Sequence, residues 1–492
     1  MKNWKKRNRS TKVEIFNVLR EHRMSQALNA NFMGLPVEEV VPDAAMVKGV
    51  SRSSLLTGRR RIRIQPQTGT SASANSIIQF VLADSSSLLD LNSAVISYTI
   101  TTTGTGDVTL DDGPAWCRRA TIALNGTNID DTDLANRWAA AQVIAGADRS
   151  TYNGPLSFAG YWAQNNQMPS GTAYPSVSYA TGDLSGAMVS ASVRYKAGQQ
   201  LACPLSLISK FFATKQYLPL SQCGELVIQL LCAANAEAVF QRSGATDGSY
   251  LMNNIFLEVD MVQPHYLYAE MLNRVTQLEG EQGVVVPFNA VISAQGQSVA
   301  AGTQSPNIVT SLATNNLRKV VVTMSPTDYL GNINYPAVSA FGNHSLTSVQ
   351  FRCGSLYFPS QAAVNQGSIW WMTSSAFNGG EPLHVRNGIV DYQTFTKTTG
   401  PGPVGFNVTG VTQKQYWADS CVIGYGFDNY KGGEPLDADG ISVLGQAGSQ
   451  LVTLLSIAPN ATYFPNGVTP NIHLERTRYI VLKNGALRVE GV

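Results

Sequence analysis

The stretch KFFATKQYLPLSQCGELVIQL, residues 210–230, joins a helix pattern to a strand pattern, and this combination is the most informative one for the fold. The helix pattern consists of three apolar residues at helical spacing, Leu205, Ile208 and Phe212. Pro219 is expected to end this short helix. From Glu225 to Leu230, apolar and polar residues alternate, which predicts a half-buried strand. Most other patterns in the chain are those of strands, so the position of a helix directly before this strand has to be explained.

The composition predicts an all-β chain that is partly covered by other chains. At 492 residues the chain is longer than one hydrophobic core usually supports, so two domains are expected. Charged residues make up only 14%, against about 25% in ordinary soluble domains. Short runs rich in Val, Ile, Thr and Tyr alternate with turns of Gly, Pro and Asn, which is typical of β-proteins. A large surface with few charges indicates that copies of the chain cover one another.

Strand patterns fill two blocks, residues 58–265 and 282–492, and each block holds enough of them for an eight-stranded antiparallel sandwich. Residues 266–281 connect the blocks and carry a helix pattern at 266–280. A second helix pattern is DDTDLANRWAAAQVIAGA, for which Asp131 or Thr132 is the predicted N-cap. The two blocks share no visible sequence repeat, so any duplication concerns architecture alone.

Residues 1–57 form a basic N-terminal arm. Up to residue 63 the chain has 14 Lys and Arg against 5 Asp and Glu, a net charge of +9, and the rest, with 21 basic and 28 acidic residues, has −7. The basic residues at the start of the arm are Lys2, Lys5, Lys6, Arg7, Arg9 and Lys12. The arm is suited to an anionic partner, or to an inner surface where it contacts only other subunits; the sequence leaves both open. At its end, GRRRIRIQPQ (58–67) predicts a strand with one basic face.

No pattern for catalysis, a metal or a cofactor is found in the sequence. HExxH, GxSxG and GxxxxGK[ST] do not occur, and the five histidines lack ligand spacing. The acidic group at Asp130, Asp131 and Asp133 is interpreted as a helix start rather than a metal site. A β-sandwich glycosidase would need paired carboxylates, which the acid-poor strands do not suggest. We therefore predict a protein that is not an enzyme.

The six cysteines show no CxxC pair and no regular spacing. They are predicted to be buried free thiols of a protein made in a reducing compartment. The N-terminal basic run is not followed by the apolar core of a signal peptide, so synthesis inside the cell without secretion is expected.

Three stretches resemble the double jelly-roll major capsid proteins of icosahedral viruses, of the adenovirus-like and polinton-like lineage. The similarity is greatest to the polinton-like virus, adintovirus and virophage members. The stretches are IQFVLADSSSLLDLNSAVISYTITTTG (78–104), LISKFFATKQYLPLSQCGELVIQL (207–230) and VQFRCGSLYFPSQAAV (349–364). With their order and spacing, the resemblance covers about residues 58–492.

The resemblance implies two tandem, eight-stranded antiparallel jelly-roll sandwiches with a few short loop helices. It further implies a homotrimer that forms a pseudo-hexagonal capsomer and tiles an icosahedral shell, so that the protein is located in the virion capsid. Its partners would be itself, neighbouring capsomers, minor capsid and penton proteins, and genomic DNA or an internal membrane through the arm.

In such proteins a loop helix precedes the seventh strand and packs near neighbouring sheets and subunits, so the resemblance places Phe211 and Phe212 in crevices within or between subunits. A helix that merely covers the open end of its own sandwich is the simpler alternative. For the whole chain, the alternative function is a tandem β-sandwich spike or adhesin that binds carbohydrate through exposed aromatic residues. The candidates for that role are Trp162, Trp370 and Trp371.

Overall fold

The computed structural model describes residues 56–492 except 85, 107, 148–150, 152–154, 162–194, 242–244, 265, 267–283, 312–313, 378–420, 428–439, 445–449, 460, 462–463, 484–485 and 492. The six basic residues of the arm, Trp162 and most of the predicted helix 266–280 lie outside the described residues. The described strands fall into two sets, from Leu56 to Pro264 and from Val284 to Glu490. The domain boundaries at 58–265 and 282–492 stay predictions.

The first set forms a sandwich of two antiparallel sheets. Its strands are β1 (Leu56–Ile64), β2 (Ala72–Ser73), β3 (Ile77–Leu82), β4 (Leu88–Thr103), β5 (Val108–Leu110), β6 (Cys117–Leu124), β7 (Thr127–Asp133), β8 (Gln199–Pro204), β9 (Tyr217–Pro219), β10 (Leu226–Cys232), β11 (Val239–Gln241) and β12 (Ser249–Pro264). One sheet has the order β1-β12-β4-β8, with β2 on β12 and β9 on β4, and the other has the order β3-β10-β6-β7. The short β5 and β11 pair separately.

The second set forms a sandwich with the same plan. Its strands are β13 (Val284–Gln295), β14 (Asn307–Ser311), β15 (Leu317–Pro326), β16 (Ser348–Cys353), β17 (Leu356–Ala363), β18 (Val422–Gly426), β19 (Gln450–Ser456), β20 (Val468–Lys483) and β21 (Ala486–Glu490). The sheets have the orders β13-β20-β15-β18, with β21 on β20, and β14-β19-β16-β17.

The two sandwiches share one strand order. When the eight principal strands of each are counted along the chain, one sheet reads 1-8-3-6 and the other 2-7-4-5. This is the jelly-roll arrangement, in which two antiparallel sheets face each other and each sheet pairs strands that are distant in the sequence. The predicted fold class, two tandem eight-stranded antiparallel jelly rolls, is therefore confirmed.

Short helices occupy the connections between strands. They are α1 (Ala135–Gly146), α2 (Leu205–Ile208), α3 (Leu220–Cys223), α4 (Asn235–Ala238) and α5 (Gln366–Phe377), with 3₁₀ turns at Pro155–Ala159, Lys210–Ala213 and Thr327–Tyr329. Among the helices that the structure describes, α1 and α5 are the ones longer than one turn, and each has 12 residues.

The deciding stretch differs in detail from its prediction. Instead of one helix ended by Pro219, α2 ends at Ile208 and a separate 3₁₀ turn follows, because Ser209 has extended backbone and its hydroxyl accepts the N–H of Phe211. Pro219 lies in β9 and pairs with β4. The predicted strand at Glu225–Leu230 is confirmed as β10 with slightly shifted ends. Its alternation holds, since Leu226, Ile228 and Leu230 are buried.

The helix predicted after Asp130 begins later than expected. Asp131 and Thr132 are not its N-cap, because both lie in β7 and pair with β6. Asp131 is held there by a cross-strand ion pair with Arg119 at 2.5 Å. The N-cap of α1 is Leu134, which has a left-handed φ of 51°. The three aspartates are therefore strand residues, and their interpretation as a helix start was wrong.

Candidate assembly surfaces

An aromatic cluster joins the two sandwiches and accounts for the helical turn before β10. Phe211 packs edge-on against Phe212 and against Phe288 of β13, with ring centroids 5.2 and 5.4 Å apart. All three rings are buried within one chain. The hydrophobic core of the first sandwich continues through this cluster to Val286 and Ile480 of the second. The turn therefore fastens one sandwich to the other, and the predicted contact of Phe211 and Phe212 with a neighbouring subunit stays a prediction.

A buried polar cluster lies beside the aromatic one. The carboxylate of Asp130 in β7 accepts a hydrogen bond from the Ser209 hydroxyl. Arg478 of β20 donates to the carbonyl of Ile129 at 2.5 Å. Burial raises the pKa of Asp130 to about 6, although Ser209, Arg478 and Arg476 favour its charged form. Burial thus destabilises the ionised form of Asp130 in the folded state, and the positive charges of Arg476 and Arg478 offset part of this destabilisation.

Helix α1 extends the junction over the second sandwich. Its Ala-rich surface packs with Val291 of β13, Val321 of β15 and Val422 of β18. The ring of Trp138 lies 5.6 Å from that of His473, whose pKa is lowered to about 3 by burial and by the nearby positive charge of Arg137. The imidazole is therefore neutral, which suits its position at an apolar contact.

The predicted basic face of β1 is confirmed, and its charges are paired on the sheet. Arg59 contacts Asp260 at 2.6 Å and Asp90 at 2.8 Å. Arg61 and Arg63 both contact Glu258, at 3.2 and 2.8 Å. These arginines remain largely exposed, so each pair contributes little to stability. The outer face of β1 and its neighbouring strands therefore carries paired positive and negative side chains at the edge of the first sandwich.

The second sandwich has an exposed apolar edge. Leu356, Tyr357 and Val364 are exposed in and just after β17, and Trp371 is exposed on α5. No charged residue occurs between Arg352 and Glu381. Trp370, by contrast, packs against the core of the second sandwich. An uncharged edge with several exposed apolar side chains is typical of a surface that another protein covers.

The remaining predictions about chemistry concern cysteines, metals and membrane spans. All six cysteines are free and buried, as predicted. Among the described residues, no three His, Cys, Asp or Glu side chains lie close enough together to hold a metal ion. Within the same part of the chain, no helix is both long and apolar enough to span a membrane.

Sequence reasoning missed the charges between the sandwiches, which are the buried Asp130 and two half-buried arginines. Arg476 and Arg478 lie in β20, whose sequence NIHLERTRYIV mixes charged and apolar residues. Such a run is typical of a strand with one solvent-exposed face. Only the contact with the first sandwich, far away in sequence, turns that face inward.

Comparison with known proteins gives matches in structure alone. No protein-family model matches the sequence, and no curated protein is significantly similar to it. The fold is similar to that of PBCV-1 VP54, as fitted into a cryo-EM reconstruction of the virophage Sputnik, with a TM-score of 0.56 and 12% identity over 91% of this chain and 99% of that chain.

Two further solved structures agree. The Faustovirus major capsid protein matches with a TM-score of 0.53 and 10% identity, over 95% of this chain and 98% of that one. A chain of the Sputnik virophage cryo-EM structure matches with 0.52 and 10%, over 92% of both chains. These matches span both sandwiches and the connections between them. The chain therefore has the double jelly-roll fold seen in viral major capsid proteins.

Proposed function

We propose that the chain is the major capsid protein of an icosahedral virus and has a structural rather than a catalytic role. The observation that carries this proposal is the extent of the structural likeness: the fold matches PBCV-1 VP54 over 91% of this chain and 99% of the other. The two sandwiches also pack against each other through an aromatic and polar junction within one chain, as expected of a single building block. The carbohydrate-binding alternative has no comparable support.

Assembly would proceed through a homotrimer. Three chains contribute six sandwiches of one strand order, which together make a pseudo-hexagonal capsomer that tiles an icosahedral shell. The low charge content of 14% and the exposed apolar edge at β17 support extensive burial between copies. Neighbouring capsomers, minor capsid proteins and penton proteins would be the further partners.

Light scattering on a size-exclusion column tests this assembly. The purified protein is expected to have three times the 52.9 kDa mass of one chain. A stable monomer at micromolar concentration would contradict the proposed function.

The basic arm would face the inside of the shell. Its net charge contrasts with the acidic remainder of the chain, and the virion interior offers genome phosphates, lipid headgroups or acidic proteins. Trypsin cleaves after Lys and Arg, so it reports whether Lys2 to Lys12 are accessible. Intact particles are expected to protect the arm, and free capsomers to lose it. Equal cleavage rates in particles and in free capsomers would rule out the inward position.

A further inference from the structure

Three polar side chains of the second sandwich lie close together on one sheet. Asn289 is in β13, Glu475 in β20 and Lys319 in β15, and these strands are neighbours in the order β13-β20-β15. One carboxylate oxygen of Glu475, Oε1, accepts a hydrogen bond from Nδ2 of Asn289 at 3.0 Å. The other oxygen, Oε2, lies 3.6 Å from Nζ of Lys319. A single carboxylate of the middle strand therefore contacts an amide and an amine from the strands on either side.

A bulge in β15 brings a further cation to the same place. Two residues of β15 stand opposite one residue of β20, so that Arg318 is an extra residue beside Lys319. Nη1 of Arg318 donates to Oδ1 of Asn289 at 3.4 Å, and the hydroxyl of Thr477 donates to the same oxygen at 3.3 Å. The amide oxygen of Asn289 thus accepts from two donors, while the amide nitrogen donates to Glu475.

The site is enclosed. Glu475 and Thr477 are buried, and the ring of Phe377, at the end of α5, has its centre 4.9 Å from Nζ of Lys319. Apart from the contact with Lys319, Oε2 of Glu475 has no partner in the part of the chain that the structure describes. A buried carboxylate oxygen without a hydrogen bond is rare in proteins and calls for an explanation.

Positive charges keep Glu475 ionised. Burial by itself would raise the pKa of Glu475, but the surrounding positive charges outweigh burial, so that the pKa is lowered. In order of effect, these charges are those of Lys319, Lys210 and Arg318. The carboxylate is therefore able to accept a proton from the ammonium group of Lys319. Arg318 and Thr477 donate to the oxygen on which negative charge develops when a nucleophile attacks the amide carbon.

We propose that the folded chain forms an amide bond between Nζ of Lys319 and Cγ of Asn289, with Glu475 as the catalytic residue. Glu475 relays two protons from the lysine nitrogen to Nδ2 of Asn289. Transfer of the first frees the amine, which attacks Cγ, and transfer of the second accompanies collapse of the tetrahedral intermediate. The bond between Cγ and Nδ2 breaks, and that nitrogen leaves as ammonium. The acyl group passes from one nitrogen to another, so the reaction needs no oxidant or cofactor.

The bond would tie two strands that do not pair directly. β13 and β15 lie on either side of β20, so the link closes a loop across the last principal strand of the second sandwich. A closed loop restricts the unfolded chain and thereby stabilises the folded one. The reaction occurs once in each chain and does not depend on the proposed trimer, so the protein keeps its structural role.

Intact-mass spectrometry of the purified full chain tests the proposal. The folded protein should weigh about 17 Da less than its sequence predicts, which is the mass of one ammonia. Trypsin digestion should locate the loss. It cleaves between Arg318 and Lys319 and so separates residues 275–318, which contain Asn289, from residues 319–352. These two peptides should remain joined in one branched product, in which the modified Lys319 resists cleavage.

Three variants assign the roles of the side chains. Glu475→Gln keeps the size of the side chain and removes the base. Lys319→Arg keeps the positive charge and removes the nucleophilic amine. Both variants should have the full sequence mass. The matched control is Lys210→Arg, which replaces the other amine near Glu475 and should keep the mass loss.

The wild-type measurement decides the proposal without any variant. Folded wild-type protein that has the full sequence mass and yields no branched peptide would overturn it. A mass loss that persists in Lys319→Arg, or a branched peptide that joins other residues, would also contradict it. Bond formation in Glu475→Gln at the wild-type rate would exclude Glu475 as the catalytic residue.

Discussion

At the scale of single residues, Asp130 shows how the junction between the sandwiches responds to pH. An ordinary aspartate has a pKa of 3.8, and burial raises that of Asp130 to about 6. The folded chain therefore holds this proton more tightly than the unfolded chain does. The resulting stabilisation is complete below the unfolded pKa and is lost as the pH rises through about 6.

The variant Asp130→Asn removes this titration. Its free energy of unfolding relative to the wild type should rise between pH 4 and pH 7, by up to about 3 kcal/mol for a shift of about two pKa units. Urea denaturation at both pH values measures the change. Asp133→Asn, a substitution at a half-exposed carboxylate in the same strand, is the control and should show a much smaller change. A pH-independent difference for Asp130→Asn would contradict the account.

The cysteines give a second prediction at this scale. Burial raises the pKa of Cys223 and Cys421 to about 12 and that of Cys232 to about 11, so little thiolate forms at neutral pH. In the native protein, almost none of the thiols should react with a thiol reagent. In the protein denatured without reductant, six thiols per chain should react. Rapid reaction of several native thiols would show that the surrounding core opens readily.

At the scale of elements, the sequence predicted strands better than helices. The alternation in β4 and β10 survives in the fold because each strand has one face in its own sandwich core. The N-cap of α1 was mispredicted because cross-strand pairing with β6 extends β7 through Asp131 and Thr132. Capping propensity is a local effect, and here a tertiary contact outweighs it.

The 3₁₀ turn at Lys210–Ala213 is the element that holds the sandwiches together. Phe211→Ala or Phe288→Ala should each lower the free energy of unfolding by about 3–5 kcal/mol, since each removes a fully buried ring. The double variant should cost less than the sum, because the two rings contact each other. Chemical denaturation measures these effects. Tyr217→Ala, a substitution at a partly exposed ring in the same stretch, should cost less than about 1 kcal/mol. Equal losses for Tyr217→Ala and Phe211→Ala would contradict the proposed junction.

At the scale of the whole molecule, the sequence indicated two sandwiches but not how they meet. Composition and strand patterns, together with the resemblance of three stretches, led to the double jelly roll. The contact between the sandwiches combines Asp130 and Ser209 with Arg478, which are up to 348 positions apart in the sequence. No local sequence pattern predicts such a contact. The same applies to the exposed apolar edge of the second sandwich, where Leu356 and Trp371 have the sequence pattern of ordinary core residues.

With its two side-by-side jelly rolls, this chain would be one third of the proposed pseudo-hexagonal capsomer. Negative-stain electron microscopy of the purified protein tests it most directly. The account predicts class averages with a hexagonal outline and six lobes, two from each of three chains. Elongated spikes, or single two-lobed particles at micromolar concentration, would contradict it.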